Sequence, residues 1–312
     1  MMPSDRATGP GLHAETLAQM LARTATQALR AEVDLTPKPG LVDTRDSGAH
    51  HDMNHALMVA SGQALTVGFH DCAVAATRER DLGRLRAELG VLGRESEARM
   101  MIATAGVNTH RGAIWALGLL VAAAAAEPGR WQAPALLDWV AVMAAIDDPA
   151  LADDRDSNGQ RAIRRYGVAG ARAEAAAGFW QISHAGLPVL RAARAAGASE
   201  RVARLNSLIA LMAIVDDTCV LSRSGRAGLA RVQSRACDIL EAGGVGTRAG
   251  ARTLARLEAE LIAAHSSPGG SADLLAATLF IDALETAARD QFGHGVRWRP
   301  AIQEVVDANA YA

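Results

Sequence analysis

Apolar residues recur every three or four positions along most of the chain, and few runs alternate apolar with polar. That period is the spacing of helix faces, not of half-buried strands. It predicts helices over residues 14–31, 54–70, 84–104, 113–126, 133–145, 163–181, 199–215, 227–242, 249–264 and 272–292. The breaks between them carry helix-ending residues: Pro128-Gly129, the acidic run from Asp147 to Asp156, Gly197, Gly243-Gly244 and Pro268-Gly269-Gly270. None is long enough to be an interdomain linker, and no segment repeats at a fixed period. The expectation is an all-α protein, one compact multi-helix domain over residues 1–312, with residues 1–10 disordered.

Composition sharpens this picture. Apolar residues make up 50% of the chain and aromatic ones only 4%; alanine and leucine dominate the periodic stretches, which favours helix over strand. At 312 residues the chain buries a substantial core without staples. Its three cysteines, Cys72, Cys219 and Cys237, include no Cys-x-x-Cys pair, so neither a disulfide framework nor a zinc site is expected. A cytoplasmic location fits that usage. The longest apolar run, residues 113–126, falls short of a bilayer span, and the N-terminus has no apolar core of signal-peptide length. A net charge of -2 gives no general attraction to nucleic acid or anionic membrane. An anionic ligand must therefore be held by a local cluster.

Three segments offer such clusters. Between Glu32 and Met53, Pro37 and Pro39 push Thr36 and Lys38 out of the helical region, so Lys38 should project from a rigid extended turn toward a phosphate. The competing reading is a helix-ending loop in which Asp43, Asp46 and Asp52 are solvated caps. Asn108, Thr109, His110 and Arg111 precede the apolar helix that begins near Ala113. Asn108 or Thr109 can cap it, while His110 and Arg111 at a helix start suit phosphate oxygens. Gly269, Gly270 and Ser271 repeat the arrangement, either as an ordinary turn and N-cap or as a phosphate nest. Asp273 then either complements the helix dipole or ligates Mg2+.

Further on, Asp216 and Asp217 interrupt an apolar stretch and need a metal, an Arg partner such as Arg223, or a helix end to neutralise them. Arg172 and Glu174 lie two apart and so point to different sides of a helix. His55, His70, His184 and His265 read as structural or surface residues, and Met100, Met101, Trp115 and Trp139 read as core.

Taken in order, Pro37 to Asp43, Gly48-Ala49-His50 with Asp52-Met53, Gly106 to Gly112, Arg172 with Glu174, Asp217-Thr218 and Ser267 to Leu275 resemble the triphosphoribosyl-dephospho-CoA synthase family. The resemblance spans most of the chain and implies an all-helical enzyme. Its substrates would be ATP and 3'-dephospho-CoA: the 2'-hydroxyl of the acceptor ribose attacks C1' of ATP and adenine leaves. The product would serve an acyl carrier subunit of malonate decarboxylase, the branch favoured by the alanine-rich stretch from Trp115 to Ala126, or of citrate lyase. The chain departs from the family pattern at Arg111, where lysine is frequent, at Ser222, where histidine is often seen, and at Ala173, where glycine follows the arginine.

The resemblance also distributes roles. An oxocarbenium-like transition state calls for a carboxylate, for which Asp52 and Glu174 are the candidates, and for a donor to the departing base. His110 is placed as a phosphate contact or proton donor. Lys38, Asn108, Thr109, Arg111, Arg172, Arg223, Gly269, Gly270 and Ser271 would hold the triphosphate, with Mg2+ on Asp43, Asp217 and Asp273. Two competing functions remain: a Mg2+-dependent nucleotide hydrolase, which would release adenine without the second substrate, and a non-catalytic helical subunit of a decarboxylase assembly, which would show a large exposed apolar face. Homo-oligomerisation is left open.

Overall fold

The computed structural model describes residues 10–148, 150 and 158–292. Among them every regular element is helical. In α1 (Pro10–Val33) the buried positions Ala18, Leu21, Ala22, Ala25, Leu29 and Val33 repeat at three and four residues, so one face is committed to the core. The organising element is α5 (Arg111–Ala126), apolar on all sides and buried nearly throughout. A helix without a polar face must be surrounded. Around it pack α1, α3 (Thr66–Arg78), α4 (Leu82–Ala103), α6 (Ala133–Ala145) and α13 (Gly269–Phe292). Against α13 lies a second layer, α9 (Leu187–Ala195), α10 (Glu200–Ile214) and α11 (Thr218–Glu241), with α12 (Arg248–Ala263) on α11. One apolar cluster runs from Ala18 to Leu284.

The helices differ from the periodicity in four places. Residues 54–70 form two helices, α2 (His55–Ala64) and the start of α3, joined at the fully buried Leu65. The expected helix 163–181 is divided into α7 (Asn158–Tyr166) and α8 (Gly170–Ala176) by Gly167 and Gly170, both in the left-handed region at φ +64° and +70°. The helix expected at 227–242 begins nine residues earlier, at Thr218, and bends at Gly225 (φ +66°, ψ -171°), a conformation closed to other residues. Finally, a π-turn at Ile182–Gly186 leads into α9, which periodicity did not resolve from its surroundings. Residues 1–9 and most of the acidic run after Asp148 lie outside the described residues. No single described helix is long and apolar enough to cross a membrane.

Candidate functional site

Three helix starts, those of α5, α11 and α13, meet the 34–54 loop and α8 around one cavity of about 470 Å³. Its wall contains Lys38, Asp52, Asn108, Thr109, His110, Arg111, Arg172, Glu174, Asp217, Arg223, Gly269, Gly270 and Asp273, which brings segments from both ends of the chain together. Helix starts carry unpaired N–H groups and partial positive charge, so their convergence favours an anionic ligand.

The loop is organised by Asp43, buried at 1% exposure. Its carboxylate accepts from the backbone N–H of Arg45 (2.7 Å), Lys38 (3.1 Å) and Asp46 (3.4 Å) and from the Arg45 guanidinium (3.1 Å). Burial would raise this group, but those bonds hold it below the usual carboxylate range. Both oxygens are consumed in shaping the loop and the residue does not line the cavity, which removes Asp43 from the metal ligands expected from the resemblance.

Lys38 also departs from expectation. Instead of projecting, it is 2% exposed and ion-paired with Glu32, at the end of the buried face of α1. Both line the cavity, so the ammonium acts from within the wall. Burial raises the Glu32 carboxyl even though Lys38 opposes this. His110 is buried beside them, and burial together with the Lys38 charge lowers its imidazole to about 4. Its Nδ1 lies 2.7 Å from the Ser61 hydroxyl, which lies 2.6 Å from that of Thr109. Its Nε2 is buried without a hydrogen-bond partner. Asn108 is the local cap of α5, accepting from the Arg111 N–H at 3.3 Å, and the Arg111 side chain pairs with Glu97.

Carboxylates occupy the helix starts themselves. Asp217 caps α11 by accepting from the N–H of Cys219 (3.0 Å) and Val220 (3.3 Å). Its other oxygen accepts from the N–H (2.9 Å) and hydroxyl (3.1 Å) of Ser271, so one side chain ties α11 to α13. Of the three ways to neutralise Asp217, the helix end is therefore the one used; Arg223 instead donates to the His265 carbonyl at 3.2 Å. Ser271 is fully buried behind the wall and reaches the cavity only through Asp217, not as a direct phosphate contact. Asp273, in the first turns of α13, faces the start of α5. Gly112 makes that approach feasible, because a Cβ there would stand 2.1 Å from Asp273 Oδ2.

These acids face one another. Burial, then Glu32 and Asp217, push Asp273 well above the usual range, and burial with Asp217 and Asp216 raises Glu174 to about 7. Arg172 lines the same wall and pairs with Asp147 at 2.5 Å. Asp52 sits at the exposed rim, 3.7 Å from His50 Nδ1. Among the described residues no three His, Cys, Asp or Glu side chains come together closely enough to hold a metal by themselves. Mg2+ ordinarily takes one or two protein carboxylates and completes its shell with water and phosphate; Asp273 is the under-neutralised carboxylate that suits it, with Asp217 on the same wall.

Lining residues that the sequence did not assign to the site include Glu32, Cys219 and Trp115. Glu32 had a legible signal, a charge on the apolar stripe of α1, where an unpaired carboxylate is costly. Trp115, expected as core, is only partly buried and forms part of the wall.

An all-helical chain whose helix starts, arginines and carboxylates meet in one cavity has the make-up of an enzyme for phosphorylated small molecules. The chain belongs to the ATP:dephospho-CoA triphosphoribosyl transferase family, whose profile it matches over residues 18–292. It is 52% identical over 271 residues to the 2-(5''-triphosphoribosyl)-3'-dephosphocoenzyme-A synthase of Klebsiella pneumoniae, covering 87% of this chain and 96% of that protein. A probable synthase of the same name from Stutzerimonas stutzeri (strain A1501) is 52% identical over 281 residues, covering 90% of this chain and 97% of the relative. Another, from Pseudomonas putida, is 52% identical over 268 residues, covering 86% and 95%. No solved structure is significantly similar to it.

Proposed function

We propose that this chain joins the triphosphoribosyl group of ATP to the ribose 2'-hydroxyl of 3'-dephospho-CoA. The acceptor oxygen forms a bond to C1' of ATP, the C1'–N9 bond breaks, the hydroxyl proton passes to a base, and adenine leaves after taking up a proton. The observation that carries this reading is the position of Glu174. A carboxyl raised to about 7 shares a cavity with Arg111, Arg172 and Arg223, so a proton acceptor stands beside groups that suit a polyanion.

The residues divide the work as follows. Glu174, ionised above about 7, accepts the acceptor's proton and faces the positive charge that grows at C1'. Arg111, Arg172 and Arg223 offer exposed guanidinium groups to phosphate oxygens. Gly269 and Gly270 line the cavity at the start of α13 without a side chain to obstruct it. His110 stays neutral, and the Ser61 and Thr109 hydroxyls fix its ring so that Nε2 keeps one direction. Asp217 and Asp273 would hold Mg2+, which supplies charge neutralisation of the triphosphate when bound. Asp52 serves the rim, near His50.

The product would go on to the acyl carrier subunit of a malonate decarboxylase, in the cytoplasm, a reading supported by the alanine-rich stretch from Trp115 to Ala126. Purified protein incubated with ATP, Mg2+ and dephospho-CoA should release adenine and yield dephospho-CoA heavier by the triphosphoribosyl group. Adenine released from ATP alone at the same rate would make the chain a hydrolase.

A further inference from the structure

Trp115 is the sole Trp, Tyr or Phe among the described residues that line the cavity. It lies one helical turn beyond Arg111 and so shares that face of α5. Its orientation is fixed from two sides. At the edge, Nε1 donates to the Ala171 carbonyl of α8 at 3.2 Å. Over one face stands the guanidinium of Arg86, from α4, with Cζ 5.2 Å from the ring centroid.

Arg86 is an unusual neighbour. It is 1% exposed and none of its three nitrogens makes a hydrogen bond. Asp148 approaches it only as an ion pair at 3.5 Å and is shared with Arg94 at 2.9 Å. A buried charge so sparsely bonded is costly unless something else in its surroundings uses it, and here its flat face is spent on the indole. With one indole face covered, the face left to the cavity is the opposite one.

The geometry points to a purine-stacking subsite on Trp115, backed by the buried Arg86, that takes the adenine of ATP. It rests on the transferase reading above. Stacking suits a leaving purine because it holds the ring by its π-face without hydrogen bonds that would have to break on departure. As the C1'–N9 bond breaks, electrons move onto the purine, and the positive charges of Arg86 behind the indole and Arg172 on the adjoining wall favour that build-up. Arg111, one turn away, places the phosphates of the same nucleotide on the same side of α5.

The test compares wild type, Trp115→Phe and Trp115→Leu for binding of ATP, inorganic triphosphate and dephospho-CoA, each with Mg2+. Trp115→Leu should weaken ATP about tenfold or more, the order of one stacked base. Trp115→Phe should recover most of that loss, and inorganic triphosphate and dephospho-CoA should bind as in wild type. Equal losses for ATP and inorganic triphosphate would reduce Trp115 to packing; unchanged ATP binding in Trp115→Leu, or a loss confined to dephospho-CoA, would also overturn the assignment. Wild-type adenine release with both substrates is scored separately, so failure of the subsite is distinguishable from failure of the transferase reading.

Discussion

At the scale of single residues, one cause moves two groups of the cavity in opposite directions. Burial favours the neutral form of any titrating side chain, so it lifts the Glu174 carboxyl to about 7 and lowers the His110 imidazole to about 4. Near neutral pH the histidine is uncharged and the glutamate is poised. If Glu174 accepts the acceptor's proton, kcat/KM should rise with pH through about 7 and then level, because the active form is the carboxylate. Glu174→Gln should remove that limb and lower the rate by about 100-fold or more. His110 cannot imitate the result, since it titrates near 4. Stability provides a second reading with its own sign. The folded protein holds the Glu174 proton that an unfolded chain releases above 4.5, so stability from this group falls as pH climbs from 4.5 toward about 7. Glu174→Gln should therefore melt above wild type at pH 8 and together with it at pH 4; a pH-independent difference would assign the shift to packing.

At the scale of elements, the site depends on how closely helix starts approach one another. Gly112 opens α5 and meets Asp273 of α13, with a Cβ there falling 2.1 Å from Oδ2 and 3.0 Å from Cγ. The obstructing atoms belong to a side-chain end, which can rotate away at little cost to the fold. Gly112→Ala should therefore remain folded, with a melting temperature within a few degrees of wild type, while turnover collapses because Asp273 is displaced. Full turnover with unaltered Mg2+ dependence would separate Asp273 from the reaction. This contact also marks the limit of what the sequence made legible. The polar runs around Asn108 to Arg111 and Gly269 to Asp273 announced themselves as helix starts, because caps, glycines and charge sat before apolar periodicity. Pairings between segments had no such signature. That Lys38 turns inward to Glu32 depends on where α1 ends relative to the cavity, and that Asp43 spends its oxygens on the loop depends on backbone directions. Likewise, the break at Gly167 and Gly170 lies inside a stretch whose periodicity reads as continuous helix, and the bend at Gly225 lies in a gap between two expected helices that the chain in fact spans as helix.

At the scale of the whole molecule, the cavity joins parts of the chain that only folding brings together: Glu32 and Lys38 from the N-terminal third, Glu174 and Asp217 from the middle, and Asp273 from the last described helix. The all-α architecture was legible in the helical period and the alanine-rich composition. The charge state of this junction was not, since it arises from desolvation and mutual repulsion in three dimensions. Glu32, Asp217 and Asp273 are each raised by burial, and Asp273 further by the other two. A bound cation would relieve that repulsion, and a nucleotide carrying it would bridge α5, α8, α11 and α13. Ligand binding to the folded state alone stabilises by about 2.7 kcal/mol at a hundredfold excess over Kd, equivalent to a rise in melting temperature of roughly 5 °C for a chain of this size. ATP with Mg2+ should produce a shift of that order, and ATP with EDTA a distinctly smaller one. Asp273→Asn removes one of the repelling charges, so without ligand it should melt above wild type at pH 8, yet it should lose most of the extra shift that Mg2+ adds to ATP. An Asp273→Asn protein that melts lower without ligand and keeps the full Mg2+ increment would place the cation elsewhere and leave Asp273 as a packing contact between α13 and the start of α5.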